Sequence, residues 1–215
     1  MSTSTATQMR KWTGPAVFSF GFRPLFLLAC VWAAVAMILW IGMLSGRVAL
    51  PTVFDPVTWH AHEFLFGYLS AVIAGFLLTA VPNWTGRLPV VGWPLAGLCV
   101  LWIAGRLAVG ASAYLPAGVV GVADLSFLVA LWAVIFREIV AGKKWANLPV
   151  LILLALFIAA DALFHLEAVQ GESASQGYGL RLGLGVALVL IMLIGGKVTP
   201  SFTRNWLVKR GDTVL

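Results

Sequence analysis

Residues 55–81 read DPVTWHAHEFLFGYLSAVIAGFLLTAV, and the two halves of this stretch together decide the fold. From Phe64 to Val81 no charged residue interrupts an apolar run far longer than a core strand. Ahead of it stands Trp59-His60-Ala61-His62-Glu63, which holds two of the three histidines in the chain and a carboxylate. Asp55 suits an N-cap and Pro56 the first helical position, so the helix is predicted to start before the histidines and run to about Val81. A helix of that length crosses a hydrocarbon core of about 30 Å, with His60, His62 and Glu63 in its first two turns.

Five further runs of similar length flank this one. The first is predicted over Leu25–Leu44, the third over Trp93–Gly110, the fourth over Ala117–Phe136, the fifth over Leu148–Glu167 and the sixth over Tyr178–Val198. The composition agrees: of 215 residues, 61% are hydrophobic and 10% charged, outside the soluble globular range. We therefore expect an all-α, polytopic membrane bundle of six transmembrane helices. Residues 1–24 form an N-terminal segment, 25–198 the membrane domain and 199–215 a basic tail. The first run is too long for the apolar core of a secretory signal and no cleavage site follows it, so it is expected to remain as a helix.

The basic residues set the expected orientation. Six crossings bring Arg10, Lys11, Arg23, Arg87, Arg137, Lys143, Lys144, Lys197, Arg204, Lys209 and Arg210 to one side, and leave Arg47, Arg106 and Arg181 on the other. Both termini are thus expected in the cytoplasm. The net charge of +6 is a topology signal of a membrane-embedded protein, and no nucleic-acid partner is needed to explain it.

In this topology the polar residues of several spans meet at one depth. His60, His62 and Glu63 start the second helix and His165 ends the fifth, with Asp161 one turn earlier. Asp124 lies near the start of the fourth helix, and Arg106 and Arg181 stand at similar depth on the third and sixth. Charges in spans are costly and by default mark an inward-facing functional cluster. Snorkelling arginines, simple ion pairs and interfacial histidines are the competing account of each residue alone; the shared depth favours a site.

Imidazoles on opposed helices suit haem iron or copper. His165 with His60 or His62 would supply two axial ligands. Residues two apart on a helix point about 200° away from each other, so His60 and His62 cannot both face one central iron unless the helix unwinds, and one of them needs a second role. The His60 stripe of Glu63, Gly67, Ser70 and Ala74 looks more like bundle interior than the bulky His62 stripe, yet the sequence leaves the choice open. His60, His62 and His165 are therefore all candidate metal ligands. Arg106 and Arg181 could pair with haem propionates, and Asp161 could orient His165. Cys30 and Cys99 have no close-spaced companion and fit no zinc or haem-attachment motif. Haem b is the expected haem. Gly179 and Gly183 form a small-xxx-small step suited to helix packing.

Three stretches at the basic side combine proline, aromatic residues and arginine: Phe20-Gly21-Phe22-Arg23-Pro24, Pro82-Asn83-Trp84-Thr85-Gly86-Arg87, and Pro200-Ser201-Phe202-Thr203-Arg204-Asn205-Trp206. Anchoring at the membrane interface with contact to lipid phosphates explains them physically.

Phe20-Gly21-Phe22-Arg23-Pro24, Trp59-His60-Ala61-His62-Glu63 with Phe66-Gly67-Tyr68, Gly75-Phe76-Leu77-Leu78-Thr79-Ala80 leading to Pro82-Asn83-Trp84-Thr85-Gly86, and Gly195-Gly196-Lys197-Val198-Thr199-Pro200-Ser201-Phe202-Thr203-Arg204-Asn205 resemble the NnrS family in order along nearly the whole chain. The resemblance implies a bacterial inner-membrane protein that contains haem and copper and serves nitric oxide metabolism and resistance to nitrosative stress. Members are about twice as long, with about twelve spans, and this chain resembles their N-terminal half. It could therefore pair with itself or with a chain supplying a second half. The alternatives from other classes are a non-catalytic b-type cytochrome that passes electrons, and a transporter or structural subunit with Asp124, Asp161, Arg106 and Arg181 along a path.

Overall fold

The structure, a computed structural model, describes residues 12–86, 89–171 and 173–211. Arg10, Lys11 and Arg87, which entered the orientation argument, lie outside the described residues. Six helices are long and apolar enough to cross a membrane, and no strand occurs among the described residues. They are α1 (Phe22–Leu44), α2 (Pro56–Thr85), α3 (Trp93–Gly110), α4 (Ala117–Ala141), α5 (Leu148–Val169) and α6 (Tyr178–Arg210).

The expected start of α2 holds for the reason read from sequence. Asp55 caps it: its Oδ1 accepts from the backbone N–H of Val57 at 2.9 Å and of Thr58 at 3.1 Å, and the Thr58 hydroxyl donates to Oδ2. Burial pushes the Asp55 carboxyl up, but these donors outweigh it and hold the group below its ordinary value of 3.8. Gly86, with φ 71°, closes the helix in the left-handed conformation.

α2 is not one uniform helix. It is α-helical over Pro56–His62, widens into a π turn over Glu63–Tyr68 and is α-helical again over Leu69–Thr85. Pro82 sits inside its last turns. α6 is longer than expected, since it continues through Pro200 to Arg210 and carries most of the expected basic tail as helix.

Burial ranks the helices by place. In α2, 67% of the spanning window is buried, against 17% in α1 and 22% in α6, so α2 is the core helix and the first and last lie outside it. α1 packs on α2, α3 on α4, α4 on α2 and α5, and α5 on α6. The α5–α6 contact is close because a Cβ on Gly179 would stand 2.5 Å from the backbone nitrogen of Phe164. Glu167 then finishes this corner: its Oε1 accepts from the backbone N–H of Tyr178 at 2.7 Å, which serves the exposed donors at the start of α6.

Candidate metal centre

Glu63 opens the π turn and is fully buried. Its Oε2 accepts from Trp32 Nε1 of α1 at 2.7 Å and from Arg106 Nη1 of α3 at 2.8 Å. Arg106 also pairs through Nη2 with Asp124 of α4. Gly67 makes room for this: a Cβ there would lie 2.4 Å from Arg106 Nη1 and 2.7 Å from Glu63 Oε2. The Gly67 carbonyl in the π turn accepts from Trp102 Nε1 at 3.0 Å, tying α3 to α2 a second time.

His62 sits beside Glu63, also without solvent exposure. Its Nδ1 lies 3.2 Å from Glu63 Oε1, and its Nε2 lies 2.9 Å from Asp124 Oδ2 and 3.2 Å from Asp161 Oδ1. His165, 12% exposed, brings its Nε2 to 3.0 Å from the same Asp124 oxygen and 3.9 Å from Asp161 Oδ1. One ligand atom from each of His62, Asp124, Asp161 and His165 lies within 4.8 Å of all the others. Asp161 Oδ2 is buried with no hydrogen-bond partner among the described residues. Phe54, Phe66 and Phe164 wall the His62 ring at centroid distances of 5.9, 5.5 and 5.1 Å.

The charge count of this cluster is informative. Glu63, Asp124 and Asp161 bring three carboxylates, and Arg106 is the one fixed cation set among them. A buried excess of negative charge is unfavourable unless a cation joins it, either as protons on the two imidazoles or as a metal ion. The cluster is compatible with metal binding on both geometry and charge.

Of the residues expected to form the site, the structure brings together His62, His165, Arg106 and Asp161. It does not bring His60 or Arg181 there. The His60 ring lies parallel to Trp40 at 3.8 Å, on the other side of α2 from His62, as the angle between positions two apart requires. Arg181 is exposed, its guanidinium 6.0 Å over Tyr178, because Gly179 and Gly183 are the residues that face inward on α6. Arg106 commits Nη1 to Glu63 and Nη2 to Asp124, and the buried Nε, its one nitrogen without a partner among the described residues, offers no two-nitrogen fork to a propionate. Asp161 stands closer to His62 than to His165, and Asp124 is the partner the two imidazoles share. The weight carried by Glu63 and Asp124 was not assigned from sequence, although both were visible there as ionisable residues at the right depth.

A family model described as NnrS protein matches residues 16–214. The chain belongs to the NnrS family. Membership suggests a nitric oxide-related membrane protein, and the six apolar helices make it a multi-pass one. No match was found among curated proteins or among solved structures.

NnrS membership makes haem and copper the cofactors to test against the site. A small ion fits, since four nitrogen and oxygen donors converge and Glu63 holds His62 Nδ1 from behind, leaving Nε2 to face the ion. A haem between His62 and His165 does not fit. Both Nε2 atoms converge on one oxygen of Asp124, the ring planes are 67° apart, and carboxylates occupy the space a macrocycle would need.

Beside His165 lies a cavity of about 230 Å³, lined mainly by apolar side chains that include Val53, Phe54, Leu115 and Val120. Phe54 belongs to both the cavity and the wall of His62.

Proposed function

We propose that this protein is a multi-pass protein of the bacterial inner membrane that holds a divalent transition-metal ion on His62, Asp124, Asp161 and His165, and serves nitric oxide metabolism or resistance to nitrosative stress. The observation that carries the metal assignment is the convergence of two imidazoles and two carboxylates in a buried, acid-rich cluster. Such a set of nitrogen and oxygen donors without thiolate suits copper(II), which divalent sites of this kind bind most tightly. A bound redox-active ion would supply a coordination position for a diatomic ligand. The chain itself excludes water with Phe54, Phe66 and Phe164 and fixes the His62 ring through Glu63. The 230 Å³ cavity offers a small apolar molecule an approach to His165.

Haem b, the other cofactor the family implies, has no place between these histidines and would have to be held elsewhere. Both termini belong on the cytoplasmic side by the positive-inside argument, with membrane lipid around the bundle. Association with a second copy, or with a chain carrying a second half, is compatible with this reading because all four donors come from one chain.

The test is a copper titration of the detergent-purified protein with electron paramagnetic resonance, beside absorption spectra of the oxidised, reduced and nitric oxide-treated protein. One copper per chain, lost in His62→Ala and His165→Ala but kept in His60→Ala, is the expected result. Copper binding that survives His62→Ala would overturn the assignment. A Soret band lost in His60→Ala would move the cofactor to the other face of α2.

A further inference from the structure

At the opposite end of the bundle lies a second cavity, of about 810 Å³. Three distant stretches build it: the end of α2 with Thr79, Asn83 and Trp84, the α4–α5 turn with Lys144 and Asn147, and α6 with Lys197, Ser201 and Asn205. Lys197 lies 19 residues after Tyr178, about 28 Å along the helix at about 1.5 Å per residue, which sets the cavity at the far headgroup level. Two of the motifs that carried the family resemblance thus meet at one place.

The lining contains two lysines and no carboxylate. Lys197 Nζ donates to Oδ1 of the buried Asn147 at 3.0 Å and stands 5.0 Å over the Trp84 ring, so its position is fixed from two sides. Lys144, Ser201 and Asn205 are exposed and line the cavity, and none makes a side-chain hydrogen bond among the described residues. Phe76, Trp84 and Phe202 form its apolar walls. Two ammonium groups, hydroxyl and amide donors, and no acid in one lining suit an oxyanion.

We infer that this cavity is a phosphate-binding site, with Lys144 and Lys197 holding the charge and the aromatic walls receiving the body that carries it. Its ligand is the phosphate of an anionic phospholipid headgroup or a soluble phosphate. The site is independent of the metal cluster and does not rest on the nitric oxide reading.

The test uses the full chain in detergent. Native mass spectrometry compares retention of phosphatidylglycerol with that of phosphatidylcholine, and a thermal-shift titration uses inorganic phosphate. Phosphatidylglycerol should be retained roughly 10- to 30-fold better than phosphatidylcholine, at about 1 kcal/mol for each lysine. The double variant Lys144→Gln, Lys197→Gln should lose this preference while melting within about 4 °C of the parent, and Lys197→Arg should keep it. Stabilisation by inorganic phosphate that also displaces the lipid assigns the site to soluble phosphate as well; lipid retention without it assigns the headgroup. Equal retention of both lipids with no shift from inorganic phosphate, or a double variant that binds like the wild type, would overturn the proposal.

Discussion

At the His62 end of the bundle three carboxylates, two imidazoles and a guanidinium are packed almost wholly out of solvent, and every one of these side chains meets a partner on another helix, with only Asp161 Oδ2 and Arg106 Nε left over. At the Lys197 end two lysines line an open cavity without an acid to match them. The first arrangement is held by partners within the chain, so its charges are part of what keeps the helices in place. The second leaves its charge to be met from outside, so its lysines are available for recognition, and Lys197 adds to the fold only one hydrogen bond to Asn147 and its contact over Trp84.

The sharpest way to break that comparison is to remove one cation from each end. Arg106→Met leaves Glu63 and Asp124 buried without their guanidinium and should cost about 3–5 kcal/mol in detergent unfolding. Lys197→Gln, which loses its ammonium contact over Trp84 and weakens one hydrogen bond to Asn147, should cost about 1 kcal/mol. Equal losses would abolish the distinction between a closed and an open end. Next in size is Glu63→Gln, which keeps the shape but weakens the hold on His62 Nδ1; metal affinity should fall about 10- to 100-fold by titration. An unchanged affinity would mean that Glu63 serves Arg106 alone.

Two smaller effects test the loops that set each end. Asp55→Ala should cost about 1 kcal/mol at neutral pH through loss of the α2 cap. Because the folded carboxyl lies below its ordinary 3.8, its contribution is complete above that value and is lost as pH falls through the folded one. The gap between the variant and the parent should therefore narrow in acid, and a gap independent of pH would assign the loss to something other than the carboxylate. At the other end, Lys143 takes φ 52° in the α4–α5 turn, a conformation that favours glycine. Lys143→Gly should raise stability by about 1 kcal/mol or less, with no change in metal content.

The spans were legible because a membrane demands long apolar runs, and α3 has its expected limits at Trp93 and Gly110. The end of α6 was not, since the polar stretch after Val198 remains helical once it has left the apolar zone. Depth was legible too, which is how His62, His165, Asp161 and Arg106 could be placed at one level. Facing was harder. The stripe drawn from His60 assumed one continuous helical period, whereas the π turn at Glu63–Tyr68 inserts a residue and shifts the register between His62 and everything after it. Glu63, Gly67, Ser70 and Ala74 are indeed buried, yet it is His62 and not His60 that shares their side of the core.

The link between Glu63 and Arg106 also has a history in time. The two residues are 43 positions apart, so at about 5–20 residues per second the carboxylate emerges about 2–9 s before its guanidinium exists. His62 waits longer for Asp161, 99 positions later, or about 5–20 s. During synthesis α2 must therefore be sheltered by the insertion machinery, or lodge with its polar turn still at the membrane surface, until its partners arrive. A chain halted between α2 and α3 would hold Glu63 through Trp32 and His62 but without its guanidinium, so the buried acid would lack its fixed counter-charge until α3 is made.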